Sequence, residues 1–156
     1  MIKLVRIDYR LLHGQVVFAW TRALDIDHII VANAQASGDA FVTMSLNLAK
    51  PAGVSLDICT VDQAAEKLVS GRLDHKKIMV VLGNTAETLA LVEKVPGIGA
   101  INYGGLAQKE GAQQFGKAIY LSAQEIADSK ALKAKGIRLE MRQVPAHSAE
   151  LLNDKL

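Results

Sequence analysis

The sequence predicts a single α/β domain, with one open, twisted, largely parallel sheet covered by helices on both faces. Three observations carry that reading. Short β-branched runs alternate with longer segments of helical period along the whole chain. Hydrophobic residues make up 50% of the sequence but aromatics only 4%, so the core must be built from Ala, Val, Ile and Leu, the material of helix-covered parallel strands. The 156 residues fit one domain and suffice to bury a core without help from a metal or disulfide.

The elements follow in order. The first strand is expected at 2–7 (IKLVRI), and a helix at 14–24, where Val16, Val17, Trp20 and Leu24 recur at helical spacing. Further strands are expected at 28–32, 54–59, 77–82, 98–102, 117–121 and 137–144. Helices are expected at 37–49, 61–70, 85–94 and 122–134, with a last one at 147–154. Thr60 and Asp62 open one of these runs, and Ser122 with Glu125 forms a capping box for another. Gly71 and Gly136 stand just past the ends of the runs at 61–70 and 122–134, where a helix commonly stops.

Composition excludes several functions. Net charge is +2, from 18 basic and 16 acidic residues scattered along the chain, and no stretch interleaves basic and stacking aromatic side chains, so nucleic acid is not expected. The one cysteine, Cys59, lies in an apolar run and reads as a core thiol; with no disulfide framework possible, a reducing cytoplasm is expected. Apolar runs such as 78–82 fall far short of the roughly 20 residues of a membrane span, and the first residues read straight into a strand rather than a leader. His28, His75 and His147 lack metal-ligand spacing and read as surface or capping residues, so no metal is expected. No glycine pattern matches a nucleotide fingerprint, and no cofactor is expected.

The chemistry concentrates in residues 6–16, RIDYRLLHGQV, between the first strand and its helix. In open parallel sheets, ligands bind outside the carboxyl ends of strands. A helix beginning at Gly14 and Gln15 offers unsatisfied backbone N–H groups and a positive dipole end to an anion. His13 would stand at its edge as a nucleophile toward phosphorus. Arg10 would add a planar, bidentate phosphate donor, and Arg6 is a second candidate for phosphate contact. Asp8 would hold one imidazole N–H and so orient the ring. Proline at position 14 would occupy a first helical turn, where it is ordinarily tolerated. Asn33, Gly83, Asn84, Asn102, Gly104 and Gly105 follow other strands and are expected to line the same crevice, the last three as a turn.

The stretch RIDYRLLHGQVV followed by AW resembles the active-site signature of the IIB component of the mannose, fructose and sorbose family of the bacterial sugar phosphotransferase system. The segment Pro51-Ala-Gly-Val, the stretch Asn102-Tyr-Gly-Gly-Leu and the late run IRLEMRQVP support the similarity. The resemblance implies a mostly parallel seven-stranded sheet with one antiparallel edge strand. It also implies that His13 receives a phosphoryl group from a phosphohistidine of the IIA component and passes it to a sugar carried by the membrane components IIC and IID. Such a chain would be cytoplasmic and peripherally associated with its transporter, and a homodimer would be compatible, with Trp20 in the core or on the dimer surface. Tyr9 and the pair Asn33-Ala34 depart from the pattern, since the family usually has aspartate in place of Tyr9 and of Ala34. Two other readings stay open from the residues. A phospho-aspartyl receiver domain would need clustered acids after the first strand and a lysine after a late one, which is missing. A non-catalytic phosphate-ligand binding or adaptor domain would use the same loop without chemistry.

Overall fold

A seven-stranded sheet forms the centre of the computed structural model, which describes residues 1–156. In chain order the elements are β1 (Ile2–Asp8), α1 (Gly14–Ala23), β2 (His28–Ala32), α2 (Ala34–Ser37), α3 (Ala40–Ala49), β3 (Ser55–Cys59), α4 (Val61–Val69), β4 (Ile78–Leu82), α5 (Thr85–Lys94), β5 (Ala100–Gly105), β6 (Gln113–Gly116), β7 (Ile119–Leu121), α6 (Ala123–Ala134), β8 (Arg138–Met141) and β9 (Glu150–Leu151), followed by a 3-10 turn at Leu152–Lys155. Across the sheet the order is β3-β2-β4-β1-β5-β8-β9. Every neighbouring pair is parallel except β8 with β9, so the mostly parallel sheet with an antiparallel edge is present.

Strand alternation explains how helices cover both faces. In β2, Ile30 and Ala32 join Val5, Ile7, Leu91 of α5 and Leu132 of α6 in one core. Their neighbours Ile29 and Val31 join Val17 and Trp20 of α1 and Leu46 of α3 in the other. Every residue of β2 and β4 is therefore buried, and each large aliphatic side chain contributes about 1.5–3 kcal/mol by leaving water.

Four expectations change at the edges. The run at 117–121 stays out of the main sheet: Ile119–Leu121 pairs with β6 as a separate antiparallel hairpin, because the preceding Gln113–Gly116 is itself extended and available to it. The seventh place in the sheet goes instead to Glu150–Leu151, inside the stretch expected to be helical. There the Asn153 side chain accepts from the Leu139 N–H at 2.7 Å and donates to the Ile137 carbonyl at 2.8 Å, tying that stretch to the neighbourhood of β8 rather than to a helix. The helix expected at 37–49 begins only at Ala40, with α2 a separate short helix before it, because the Asp39 carboxylate caps the N–H groups of Phe41 and Val42 and starts α3 afresh. Asn102-Tyr103-Gly104-Gly105, expected as a turn, is strand: Gly105 stands opposite Asp8, and its carbonyl accepts from the Tyr9 N–H at 3.0 Å.

Candidate active site

β1 is the central strand, flanked by β4 and β5, and its carboxyl end carries the loop singled out above. Asp8 closes the strand with no solvent exposure. Its Oδ1 accepts from the Arg10 N–H at 3.0 Å, a short-range turn that aspartate forms readily. Leu11 takes φ 60, and its N–H donates to the Asp8 carbonyl at 2.9 Å, which folds the chain back before α1. His13 is the N-cap of α1, in extended conformation, and its side chain makes no capping bond. No acidic residue occupies the first turn, so the helix presents its positive end uncompensated.

Asp8 is the hub of the loop. Its Oδ2 accepts from Arg6 Nη2 at 2.9 Å and lies 2.8 Å from His13 Nε2, while Oδ1 is 3.4 Å from Arg10 Nε. Burial by itself pushes the carboxyl pKa up. The hydrogen bonds from His13 and the Arg10 N–H, with the charge of Arg6, outweigh that effect and hold it below the usual carboxylate value. Because the folded carboxyl binds protons more weakly than the unfolded one, the stability it contributes is present above about pH 4 and lost as pH falls through the lower folded value. Asp8→Asn is therefore expected to show a flatter loss of stability than wild type between about pH 5 and pH 2. Urea unfolding at several pH values measures this, and identical slopes would mean that the carboxyl is not coupled to folding.

The other candidates sort into three places. Arg6, expected to contact phosphate, is 2% exposed, and its guanidinium is committed to Asp8, to Asn102 Oδ1 at 2.6 Å and to the Arg142 carbonyl at 3.3 Å. It braces the site from beneath and has no open face to offer a phosphoryl group. Burial draws its pKa down, opposed by Asp8. Gly104 and Gly105 lie against charged side chains: a Cβ at 104 would fall 2.1 Å from Arg6 Cζ, and one at 105 would lie 3.3 Å from both Arg10 Nη2 and Asp8 Oδ1. Both positions are glycine because these charged groups lie against the strand.

Asn33 and Asn84 do border a crevice, of about 390 Å³, whose other walls include Tyr9, Arg10, Phe41 and Val42. Each caps a helix, α2 and α5 respectively, and Glu87, which sequence reasoning missed, joins them. Glu87 Oε1 accepts from Asn33 at 2.7 Å and from Asn84 at 2.8 Å, and its Oε2 accepts from the Ala34 N–H at 3.0 Å. The spacing of Asn84 and Glu87 is a visible capping signal, whereas the reach to Asn33 is not. Arg142 was missed as well. Its side chain and that of Arg6 lie on the Trp20 indole, each 5.7 Å from the ring centroid, while Trp20 Nε1 donates to the Gln143 carbonyl at 2.9 Å. Trp20 is thus a core residue. His28, expected as a surface or capping residue, is buried at the amino end of β2 between Ser55 and Asp57. Gly14 and Gln15 open α1 as expected, but Gly14 takes φ +46, so proline there is incompatible with the backbone.

Solved structures place this architecture in a class. The IIBSor domain of the sorbose permease from Klebsiella pneumoniae superposes with a TM-score of 0.94 at 28% identity, covering 99% of this chain and 95% of that one. The fold, with its loop after the central strand, is thereby that of the IIB components of sugar phosphotransferase systems. Within that class, residues 2–156 match the family described as PTS system sorbose subfamily IIB component, and the chain belongs to it. The sorbose-specific EIIB component of Lacticaseibacillus casei is 30% identical over 144 residues, which span 92% of this chain and 88% of that protein. The mannose-specific EIIAB component of Escherichia coli (strain K12) is 31% identical over 144 residues, but the chain spans only 45% of its length.

Proposed function

We propose that this chain is a phosphoryl carrier, accepting a phosphoryl group on His13 from a phosphorylated IIA protein and passing it to a sugar during transport through IIC and IID. One observation carries the reading: the His13 ring stands 2.8 Å through Nε2 from a fully buried carboxylate, at the open end of a helix. An ionised carboxylate only accepts hydrogen bonds, so the neutral ring keeps its proton on Nε2. That leaves the lone pair on Nδ1, which has no partner within the protein. Nδ1 attacks phosphorus as the donor's N–P bond breaks; in the second step a sugar hydroxyl oxygen bonds to phosphorus as the His13 N–P bond breaks, the electron pair returns to Nδ1 and the hydroxyl proton passes to water. Transfer of this kind depends on positioning and charge stabilisation. Asp8 supplies the first. The second falls to Arg10, whose side chain is 37% exposed and only loosely tied to Asp8, and to the N–H groups at Gly14 and Gln15.

No helix is long and apolar enough to cross a membrane, which fits a chain that reaches its transporter by docking on IIC and IID. Incubation with a phosphorylated donor protein tests the reading. Acid-labile, base-stable label on His13 is expected; base-labile label would mean phosphoaspartate, and no label would mean a binding module.

Arg10→Lys keeps a charge but loses the planar fork. Single-turnover transfer to His13 is expected to slow by about ten- to a thousandfold, the range for losing one donor to a reacting group. A wild-type rate would make Arg10 an ordinary surface charge.

A further inference from the structure

The hydrogen bonds around Arg6 extend beyond the loop. Arg6 and Asn102 are register partners on β1 and β5, so their side chains leave the sheet together. Asn102 is buried, and it uses both ends of its amide. Oδ1 accepts from Arg6 Nη1 at 2.6 Å, and Nδ2 donates to the Arg142 carbonyl at 2.9 Å. The same carbonyl also accepts from Arg6 Nη1 at 3.3 Å, so guanidinium, amide and carbonyl form a closed triangle. From there the chain runs through Arg6 Nη2 to Asp8 Oδ2 at 2.9 Å, and from Asp8 to His13 Nε2 at 2.8 Å.

The guanidinium has few alternatives. One face lies on the Trp20 ring, and the missing side chain of Gly104 leaves the space it fills. Within the plane that remains, its orientation is set by acceptors. Asp8 takes one terminal nitrogen; the other needs an acceptor at the position of Asn102 Oδ1. A carboxylate there would compete with Asp8 for the charge and would face the Arg142 carbonyl with no donor. An amide both accepts from the guanidinium and donates to the carbonyl.

We propose that Asn102 is a positioning residue for phosphoryl transfer, fixing the Arg6 guanidinium so that Asp8 holds His13 in one tautomer and one orientation. The role rests on His13 being the phosphoryl acceptor, and its test includes a readout that does not depend on phosphorylation.

Asn102→Leu keeps the approximate volume and removes both hydrogen bonds. Asn102→Ser puts no apolar group beside the guanidinium, spares the fold if leucine does not, and cannot span both partners. In either folded variant, ¹⁵N spectra of the unphosphorylated imidazole are expected to move from the single Nε2-protonated pattern toward a mixture of tautomers. Phosphorylation by a phosphorylated IIA protein should slow by about ten- to a hundredfold, the range for losing a partner that orients a site ligand through another group. Arg6→Met combined with Asn102→Ser should transfer no more slowly than Arg6→Met alone, since the effect runs through Arg6.

A wild-type tautomer pattern in both variants would overturn the proposal, whatever happens to the rate. So would a double variant slower than Arg6→Met in proportion to both single losses. If instead the spectra move as expected but no donor labels His13 in wild type, the positioning network stands and the phosphoryl-carrier reading falls.

Discussion

His13→Ala is expected to fold like the wild type and to accept no phosphoryl group. The side chain caps nothing, and its one hydrogen bond in the protein is to Asp8, which keeps Arg6 and the Arg10 N–H as partners when the imidazole is gone. Losing one such bond costs about 1–3 kcal/mol, well within what a domain of this size tolerates. The chemistry has no substitute. Asp8, the nearest other nucleophile, is fully buried and already occupied on both oxygens. Thermal melting and mass spectrometry after incubation with a phosphorylated donor measure the two halves of the result. Stoichiometric label on the variant would remove His13 from the mechanism.

Gly104→Ala is expected to damage both stability and transfer, although it adds a single methyl group. The new Cβ would stand 2.1 Å from Arg6 Cζ and 2.4 Å from each terminal nitrogen, distances that no adjustment of a few tenths of an ångström can relieve. Either β5 moves away from β1 or Arg6 leaves its seat. The second outcome strips Asp8 of its buried ion pair, a change that costs about 3–5 kcal/mol when one partner is removed outright. Gly105→Ala is milder, because its Cβ meets Arg10 Nη2 and Asp8 Oδ1 at 3.3 Å, and Arg10 is free to swing outward. Urea unfolding with single-turnover labelling distinguishes the two positions. A Gly104→Ala protein within about 1 kcal/mol of wild type and equally active would show that Arg6 is not seated against β5 in solution.

The loop could be read from sequence because its parts are neighbours in the chain: Asp8, Arg10 and His13 lie within six positions, and the strand and helix on either side have clear periods. The function of Arg6 could not. A strand-end arginine looks the same whether it faces solvent or is buried, and the difference here is made by Asn102 and Arg142, which lie 96 and 136 residues away. The glycines at 104 and 105 were visible as a pair, but a pair of glycines suits a turn as well as a strand beside a bulky cation. β9 gave no usable signal: two residues long, it is held by Asn153 contacts that no periodicity encodes. Gly14 marked the start of α1, while its left-handed backbone, which forbids proline, was hidden until the turn at Leu11 was known.

The triangle closed by the Arg142 carbonyl also bears on the order in which the molecule is assembled. β1 precedes the other elements in the chain, yet the last acceptor for its arginine comes from residue 142, beyond all six α-helices. Pairings between segments so far apart in sequence form slowly, because the intervening chain must be confined before they are rewarded. A nascent chain that has reached only α5 can already bury β1 beside β4, but its guanidinium lacks both the amide and the carbonyl that will hold it. His13, the proposed phosphoryl acceptor, thus lies early in the domain, while the side-chain frame behind it is completed only by segments 96 and 136 residues beyond Arg6.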